Sequence, residues 1–387
     1  MKRPCPVCQS GASEELLKLH FPLPDDFILS SNQLIQSCQN CGMVFTDSGN
    51  TQADYNQFYK SSKKYVSASE VSLFETKRFQ QTADCLRPIL NLNQHICDLG
   101  CGGGGLLRVF HEKGAKHLTG VDAGDLSSQN EFTFLRSDLF DFPKLVQKPF
   151  DLITCIGVFE HVSDLHRLIQ GITSALVPNG HLYIEVPDAA QYDKNVISPF
   201  QDFNLEHINH FSAQALTSLL NQNGFEIVAV KHILQPESER YKMPVVSLLA
   251  KNTQGPSGEM QKDETLKKRI LSYIDESQKL LNEFDRFLEK SLVGQNEIYI
   301  WGVGQLTLKL LELPSLKKKS IRGLVDRSPM FRKLKSIPVV SADGVDPKFP
   351  IVIGSVLHAS SIAQDIRKKF SEANIVELPV AKPPPRQ

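Results

Sequence analysis

The sequence of 387 residues predicts an α/β fold in which two parallel-sheet domains follow a small N-terminal unit. Three observations support this prediction. Two cysteine pairs lie within the first 41 residues, and a glycine-rich turn joins an apolar strand to a helix and a second strand over 95–122. A similar pattern of strand, turn, helix and strand starts at Ile298. Strands that alternate with helices are typical of parallel sheets covered by helices.

The bulk composition excludes several classes of protein. Hydrophobic residues make up 41% of the chain, which is enough for a sizeable core. Lys+Arg and Asp+Glu number 43 each, so a broad basic surface for nucleic acid is not expected. The first ten residues lack the apolar segment of a signal peptide, and no run is long enough to cross a bilayer. We therefore expect a cytosolic protein without membrane or nucleic-acid partners, whose cysteines are reduced thiols or metal ligands.

The first domain, residues 1–50, is predicted to be a zinc-binding ribbon. Its two pairs have the spacing Cys-x-x-Cys, and each pair suits a tight turn whose amides point at thiolates. Disulfides and four unrelated thiols are the alternatives. Four thiolates leave no open position for water, so a structural role is expected for the Zn²⁺. The predicted ligands are Cys5, Cys8, Cys38 and Cys41.

Residues 51–94 are predicted to form a helical lead-in to the main domain. The segment is rich in aromatic residues, and its apolar spacing from Glu70 to Leu90 suits a helix. One hypothesis places this segment over the pocket of the next domain, with Tyr65 near the reacting groups. The alternative is aromatic packing against the ribbon.

The third predicted domain, residues 95–251, starts at the glycine-rich turn. An apolar strand ends at Asp98, and Gly100 and Gly102 follow, where a side chain would keep the backbone away from a ligand. Asp122 ends the next strand and could accept hydrogen bonds from both hydroxyls of a ribose. The carboxylate beside the turn would repel a pyrophosphate, which favours a cationic or zwitterionic ligand. A glycine turn that binds nothing is the alternative.

The pattern D-x-G-x-G-x-G from Asp98, followed one strand later by Asp122, resembles class I S-adenosylmethionine-dependent methyltransferases. The resemblance implies S-adenosylmethionine (SAM) as the cofactor and a Rossmann-like core. It also implies an adenine-edge contact at Asp138, for which a helix cap is the alternative. The predicted cofactor-binding residues are Asp98, Gly100, Gly102, Asp122, Asp138, Leu139, Cys155 and Ile156.

A dense cluster of ionisable residues lies at 202–212, just before a helix that Ser212 can cap. Glu206, His207 and His210 are therefore expected on a loop, where their side chains can face a pocket. Metal binding by these residues and exposure to solvent are the alternatives. His161 follows the strand that ends at Ile156, in a loop that resembles the corresponding loop of many small-molecule methyltransferases.

The C-terminal part contains a linker region, 252–294, and a second Rossmann-like domain, 295–387. The linker region has a polar Gly/Pro/Ser stretch and then a long amphipathic helix, predicted to bridge domains or join protomers. In the last domain, Gly302 and Gly304 follow a strand and Asp326 ends the next one. The third glycine of a dinucleotide fingerprint is absent, so binding of a nucleotide and binding of nothing both stay open.

This order of domains is similar to the sugar C-methyltransferase family, which acts on nucleotide-linked deoxy-keto-sugars. The resemblance implies a nucleotide-linked sugar as the acceptor, with the C-terminal domain contributing to its binding. Three positions depart from the family pattern. Asn204 and His210 stand where the family has tyrosine, and Gly157 stands where it commonly has asparagine.

The expected chemistry follows from the methyl donor. A sulfonium methyl is already electrophilic, so the enzyme must position the acceptor and make it nucleophilic. For carbon next to a ketone, a base must remove a proton to give an enolate. We predict His207 as this base, oriented by Glu206, with His161 and His210 polarising the ketone. An oxygen or nitrogen acceptor, and a zinc-containing binding protein without turnover, are the alternatives, and the chain is expected to be a monomer or homodimer.

Overall fold

The computed structural model describes residues 2–61, 73–124, 130–194, 196–238, 241–255, 258–327 and 331–380. These residues form two compact units. The first contains 1–16, 35–191 and 206–268, and the second contains 17–34, 192–205 and 269–387. Each unit is described by itself below.

The N-terminal segment contributes three strands to a small sheet. They are β1 (Ser13–His20), β2 (Asn32–Cys38) and β3 (Val44–Asp47), and they are followed by helix α1 (Gln52–Ser61). A short strand from far along the chain, β9 (Asn209–His210), pairs antiparallel with β3, and the sheet order is β1-β2-β3-β9. The N-terminal sheet therefore includes part of the loop that contains Glu206 and His207.

A seven-stranded sheet forms the centre of the first unit. Its strands are β4 (His95–Leu99), β5 (His117–Asp122), β6 (Thr133–Arg136), β7 (Phe150–Ile156), β8 (Leu176–Pro187), β10 (Phe225–Pro236) and β11 (Lys242–Asn252). The order is β10-β11-β8-β7-β4-β5-β6. The five strands from β8 to β6 are parallel, and β11 is antiparallel to both of its neighbours.

Helices pack on both faces of this sheet, as the apolar periodicity of the sequence predicts. Helices α2 (Leu73–Leu86) and α3 (Gly105–Glu112) contribute Leu86, Leu107 and Phe110 to one buried cluster. Helices α4 (Leu165–Ala175) and α5 (Ala213–Gln222) contribute to a second cluster. Burial of apolar side chains on both faces explains why the central strands are apolar along their length.

The strand order places a crevice at a defined position. The chain runs from β4 to β5 on one side and later returns to β7 on the other side of β4. In such sheets, ligands bind where the strand order reverses, outside the carboxyl ends of the strands. Asp98, near the end of β4, and Asp122, at the end of β5, lie at this edge. The predicted Rossmann-like core is confirmed.

The second unit has its own, mostly parallel sheet. Its strands are β12 (Glu297–Trp301), β13 (Ser320–Val325), β14 (Lys333–Leu334), β15 (Ile337–Val340), β16 (Ile351–Ile353) and β17 (Ile375–Val376). The order is β14-β15-β13-β12-β16-β17, and only the β14–β15 pair is antiparallel. Its helices are α7 (Gln305–Leu310), α8 (Pro314–Lys317) and α9 (Ala359–Lys369). The predicted C-terminal Rossmann-like domain is thus observed.

The long amphipathic helix is α6 (Leu266–Ser291), which belongs to the second unit from Arg269 onward. Its buried stripe includes Ile270, Tyr273, Phe284 and Leu288. Within the part of the chain that the structure describes, we find no helix that combines the length and the apolar character needed to span a bilayer.

Candidate active site

The glycine turn after β4 is held against the end of β5. The amides of Gly100 and Cys101 donate to the Val121 carbonyl at 2.8 and 3.1 Å. The Gly102 amide donates to Asp122 Oδ2 at 2.9 Å. Gly102 has φ of +49°, and a Cβ placed on it would meet nothing within 4 Å. The backbone at Gly102 therefore borders open space, and a ligand could approach it closely.

Gly100 has a different role from Gly102. Its φ is +79°, and a Cβ on it would lie 2.7 Å from Val158 Cγ2. Val158 belongs to the loop that follows β7 and contains His161. The missing side chain therefore lets the glycine turn pack directly against the loop that carries a predicted catalytic histidine.

Asp98 is a buried carboxylic acid, only 4% exposed. It accepts a hydrogen bond from Thr154 Oγ1 at 2.6 Å, and Thr154 pairs with Asp98 across β4 and β7. Burial raises the pKa of Asp98 to about 7, and the nearby carboxylates of Asp122 and Glu185 act in the same direction. A cation bound beside Asp98 would favour its ionised form.

Asp122 holds two backbone amides. Besides the bond from Gly102, its Oδ1 accepts from the Gly124 amide at 2.8 Å. Its side chain is half-buried, so it is accessible from the crevice. Asp122 is thus held in place at the end of β5, the position predicted for an acid that binds ribose hydroxyls.

The other four predicted cofactor residues differ in what they offer. Asp138 Oδ1 accepts from the amides of Phe140 and Asp141 at 2.9 and 3.0 Å, so it caps the following turn, as the alternative to an adenine contact anticipated. Leu139 and Ile156 are half-buried and pack against the two core clusters. Cys155 is fully buried, so only its backbone could contact a cofactor.

His161 is fixed by hydrogen bonds to one ring nitrogen. Its Nδ1 lies 3.0 Å from the Glu206 carbonyl oxygen, and a carbonyl only accepts, so a hydrogen bond between them requires the proton on Nδ1. The Tyr59 hydroxyl lies 3.0 Å from the same nitrogen. The His207 ring packs edge to face against His161, with ring centroids 4.9 Å apart. The structure therefore brings together three of the predicted catalytic residues, Glu206, His207 and His161.

Backbone and side-chain hydrogen bonds hold together the two loops that carry these residues. The Ile208 amide donates to the Glu160 carbonyl at 2.8 Å. Asn209 Nδ2 donates to the carbonyls of Phe159 and Val162, both at 2.7 Å. Half-buried Arg3 donates to the Ile208 carbonyl at 2.9 Å and to Asn209 Oδ1 at 2.6 Å. The relative positions of His161 and His207 are thus set by the fold.

His210 lies outside this cluster, which corrects the prediction that it polarises a ketone. It belongs to β9, is fully buried, and its Nε2 lies 3.1 Å from Thr46 Oγ1. Burial lowers its pKa to about 3, so the ring is neutral in the folded protein. Strand pairing with Val44 turns the side chain into the interior, where a small molecule in the crevice cannot reach it.

The four predicted zinc ligands converge. Their Sγ atoms all lie within 4.8 Å of one another, with Cys5–Cys41 and Cys8–Cys38 at 3.5 Å. A tetrahedral Zn²⁺ with Zn–S bonds near 2.3 Å needs sulfur atoms about 3.8 Å apart, so the cluster is compatible with zinc. Burial raises the pKa of Cys38 to about 11, and a bound cation would reverse this effect.

The C-terminal domain repeats one feature of the core. Gly302 has φ of +95° and follows β12, and the Val303 amide donates to Asp326 Oδ2 at 2.7 Å. This contact corresponds to the one between Gly102 and Asp122. The helix after the turn, α7, has only six residues.

Two residues of the site were not found from the sequence. Tyr59 contacts His161, whereas the sequence pointed to Tyr65, which lies outside the described residues. Glu160 is the second, because its carboxylate lies in the same group as the nitrogens of His161 and His207. The sequence feature that could have identified Glu160 is its position directly before His161.

The structure also contains a surface cavity of about 760 Å³, lined by residues that include His95, His117 and Thr133. These residues stand at the amino-terminal starts of β4, β5 and β6. The cavity is therefore at the opposite edge of the sheet from the glycine turn and does not belong to the candidate active site.

Comparison with known proteins agrees with this assignment of the core. Residues 74–230 match a family model described as a methyltransferase domain. The fold and this match together define a Rossmann-like methyltransferase domain within the chain. The ubiquinone biosynthesis O-methyltransferase of Coxiella burnetii is 32% identical over 100 residues, which cover 23% of this chain and 42% of that protein. Its counterpart in Vibrio vulnificus is 29% identical over 98 residues, covering 23% and 41%.

The chain thus spans less than half the length of the curated relatives that it matches. Among solved structures, it is similar to 1,6-didemethyltoxoflavin-N1-methyltransferase of Burkholderia thailandensis, with 16% identity, TM-score 0.43, and coverage of 56% of this chain and 96% of that one. It is also similar to magnesium protoporphyrin IX methyltransferase of Synechocystis PCC 6803, with 17% identity, TM-score 0.39, and coverage of 52% and 100%.

Proposed function

We propose that the chain is a SAM-dependent methyltransferase whose acceptor is a small molecule. One observation carries the proposal. The backbone at Gly102 borders open space at the point where the strand order reverses, between the carboxylates of Asp98 and Asp122. A SAM molecule carries a ribose, a sulfonium and an amino group. The two acids and the open turn match these three groups.

The acceptor would react beside the cofactor turn. Gly100 packs against Val158, which places the loop of Glu160 and His161 next to the turn. We assign His207 as the proton acceptor and Glu206 as the residue that supports it. With the proton on Nδ1, His161 Nε2 has a lone pair. It could accept a hydrogen bond from a hydroxyl group of the substrate. In this proposal Tyr59 supports His161 from the opposite side.

The specific acceptor that we propose is a nucleotide-linked deoxy-keto-sugar, methylated at carbon through an enolate. Support comes from the order of the domains and from the Glu206-His207 pair beside His161. The C-terminal domain, with its Val303–Asp326 turn, is the proposed contact for the nucleotide part.

An oxygen acceptor is the second candidate function. The relatives with 29–32% identity over about a quarter of the chain are named O-methyltransferases. Gly157 and Asn204 also remove side chains that would hold a keto-sugar in the resembling family. Mass spectrometry of the product made with a deuterated methyl donor decides between them, because a label on carbon supports the first candidate and a label on oxygen the second.

We further propose that Cys5, Cys8, Cys38 and Cys41 hold a structural Zn²⁺. Four thiolates would fill the tetrahedral coordination sphere, so this metal would stabilise the ribbon without taking part in methyl transfer. The second cysteine pair lies in a tight turn, since the Gly42 amide donates to the Cys38 carbonyl at 3.0 Å and the Cys38 amide donates to the Met43 carbonyl at 2.8 Å.

Asp122→Ala is expected to weaken SAM binding by about 10-fold to 100-fold. Each hydrogen bond to a charged group contributes roughly 1.5–3 kcal/mol, and the substitution removes the carboxylate that is proposed to hold the ribose. It also frees the Gly102 amide. Calorimetric titration with SAM measures the effect. Equal affinity in Asp122→Ala and wild type would contradict the cofactor site, and no binding by wild type would favour a protein without turnover.

His207→Ala should lower turnover by about 10² while SAM affinity changes little. The imidazole is proposed to act on the acceptor, whereas the cofactor contacts lie at the glycine turn. Initial rates with labelled SAM, together with calorimetry on the same preparation, separate the two quantities. Unchanged turnover would remove His207 from the active site.

A further inference from the structure

The Glu160, His161 and His207 side chains form a group that is distinct from the four cysteines. One ligand atom from each residue lies within 4.8 Å of the other two. Glu160 Oε1 is 3.9 Å from His161 Nε2, which is too long for a hydrogen bond. Two imidazoles and one carboxylate are a ligand set that divalent transition metal ions use, with open positions left for other ligands.

One oxygen of the Glu160 carboxylate is buried without a hydrogen-bond donor among the described residues. The residue is 4% exposed, and no hydrogen-bond donor among the described residues contacts its Oε2. A buried carboxylate oxygen without a donor is costly unless it meets a cation or another donor.

The tautomer of His161 fits a ligand. Its Nδ1 proton points to the Glu206 carbonyl at 3.0 Å, which leaves Nε2 with a lone pair directed to the side of Glu160. Histidines that bind metals commonly donate their other nitrogen to a backbone carbonyl or a carboxylate, because this contact fixes the ring and increases its basicity. The structure supplies this contact without any metal.

The geometry is close to what a cation needs. Bonds of about 2.1 Å in a tetrahedral site place ligand atoms about 3.4 Å apart, and these atoms now lie within 4.8 Å of one another, so they would approach by at most about 1.4 Å. Gly157 lies against the carboxylate, because a Cβ there would be 3.6 Å from Glu160 Oε1. The hydrogen bond from the Ile208 amide to the Glu160 carbonyl keeps the two loops together.

We propose that Glu160, His161 and His207 bind a divalent first-row transition metal ion, and that this ion takes an oxygen atom of the methyl acceptor as a further ligand. The inference rests on the proposed methyl transfer. The acceptor would then carry a hydroxyl or a ketone at, or next to, the atom that is methylated. A cation would stabilise the alkoxide or enolate form of that group. His207 is then a metal ligand instead of the proton acceptor, and the proton that the acceptor loses on forming the alkoxide or enolate passes to solvent water.

The test uses full-length, zinc-loaded protein, freed of weakly bound metal and titrated with Co²⁺. We expect one further Co²⁺ per chain. Its absorption should lack the intense near-ultraviolet bands of thiolate ligation, which distinguishes the site from the cysteine cluster. Glu160→Gln and His207→Ala should each weaken Co²⁺ binding by about 10-fold or more. His232→Ala is the matched control, because it removes an imidazole paired with Asp188 at 2.7 Å in the same unit, and its affinity should equal that of wild type.

Absence of the additional Co²⁺, thiolate bands in its spectrum, or unchanged affinity in Glu160→Gln would each overturn the proposal. SAM calorimetry on the same samples separates this failure from failure of the proposed function. Wild-type protein that binds SAM and transfers methyl groups without binding Co²⁺ loses the metal site but keeps the methyltransferase assignment. Retained SAM affinity in Glu160→Gln also demonstrates that the variant is folded.

Discussion

Replacing Cys41 by serine is expected to abolish zinc binding and to unfold the N-terminal ribbon. Cys41 Sγ lies 3.5 Å from Cys5 Sγ, and a serine hydroxyl is a poor replacement for a thiolate ligand. Structural Zn²⁺ contributes roughly 10–16 kcal/mol of apparent binding free energy in small zinc domains, which is comparable to the stability of a whole domain. Metal analysis and thermal unfolding measure the outcome.

Cys85→Ser is the control for this experiment, because Cys85 is a half-buried thiol in α2 outside the cluster. It should keep a full equivalent of zinc and nearly the wild-type melting temperature. A Cys41→Ser protein with one tightly bound zinc and an unchanged melting temperature would show that the four thiols are not a metal site.

Loss of the ribbon should also impair the proposed methyl transfer, although the proposed zinc would take no part in the reaction. Strand β3 follows directly on the second cysteine pair and pairs with β9 through Val44 and His210. Arg3, two residues before Cys5, holds the Ile208 carbonyl and the Asn209 side chain. Both contacts anchor the loop of Glu206 and His207, so an unfolded ribbon leaves that loop without support.

The features that sequence predicted well are those that depend on local spacing. The Cys-x-x-Cys pairs and the acid-glycine turn are short patterns in which the backbone alone brings the groups together. The end of β5 at Asp122 follows from the apolar run before it. The parallel pairing of the strands, in turn, follows from alternating strands and helices.

Contacts between distant segments could not be predicted in the same way. His210 looks like a neighbour of His207 in sequence, but pairing with β3 turns it into the interior. Tyr59 reaches His161 across 102 positions, and no periodicity indicates this contact. In α6, the amphipathic pattern does not show which residues at the edge of the apolar face are buried: Tyr273 and Leu280 are buried, whereas their neighbours Ile274 and Leu281 are half-buried. Adjacent residues at the edge of an apolar face fit the helical period about equally well, so only packing decides which of them is buried.

Asp98→Asn is expected to weaken SAM binding by about 100-fold while making the protein without ligand more stable at neutral pH. A buried carboxylate attracts a sulfonium more strongly than an exposed one, and the isosteric amide removes that charge. The same burial raises the pKa of Asp98 to about 7. Binding and stability should therefore change in opposite directions.

The pH dependence of this effect has a definite sign. Between pH 4 and about 7 the folded protein keeps a proton on Asp98 that the unfolded chain has released, since the ordinary pKa is 3.8. The free energy of unfolding therefore falls as the pH rises through this range, by up to about 4 kcal/mol from this group. Asparagine does not titrate, so the stability difference between variant and wild type should grow from pH 4 to pH 7.5 and then level off. Denaturant unfolding at several pH values measures the difference, and calorimetry at pH 7.5 measures SAM affinity. An Asp98→Asn variant that binds SAM with wild-type affinity would show that Asp98 does not contact the cofactor. The buried charge would then destabilise the protein without ligand and contribute nothing to SAM binding.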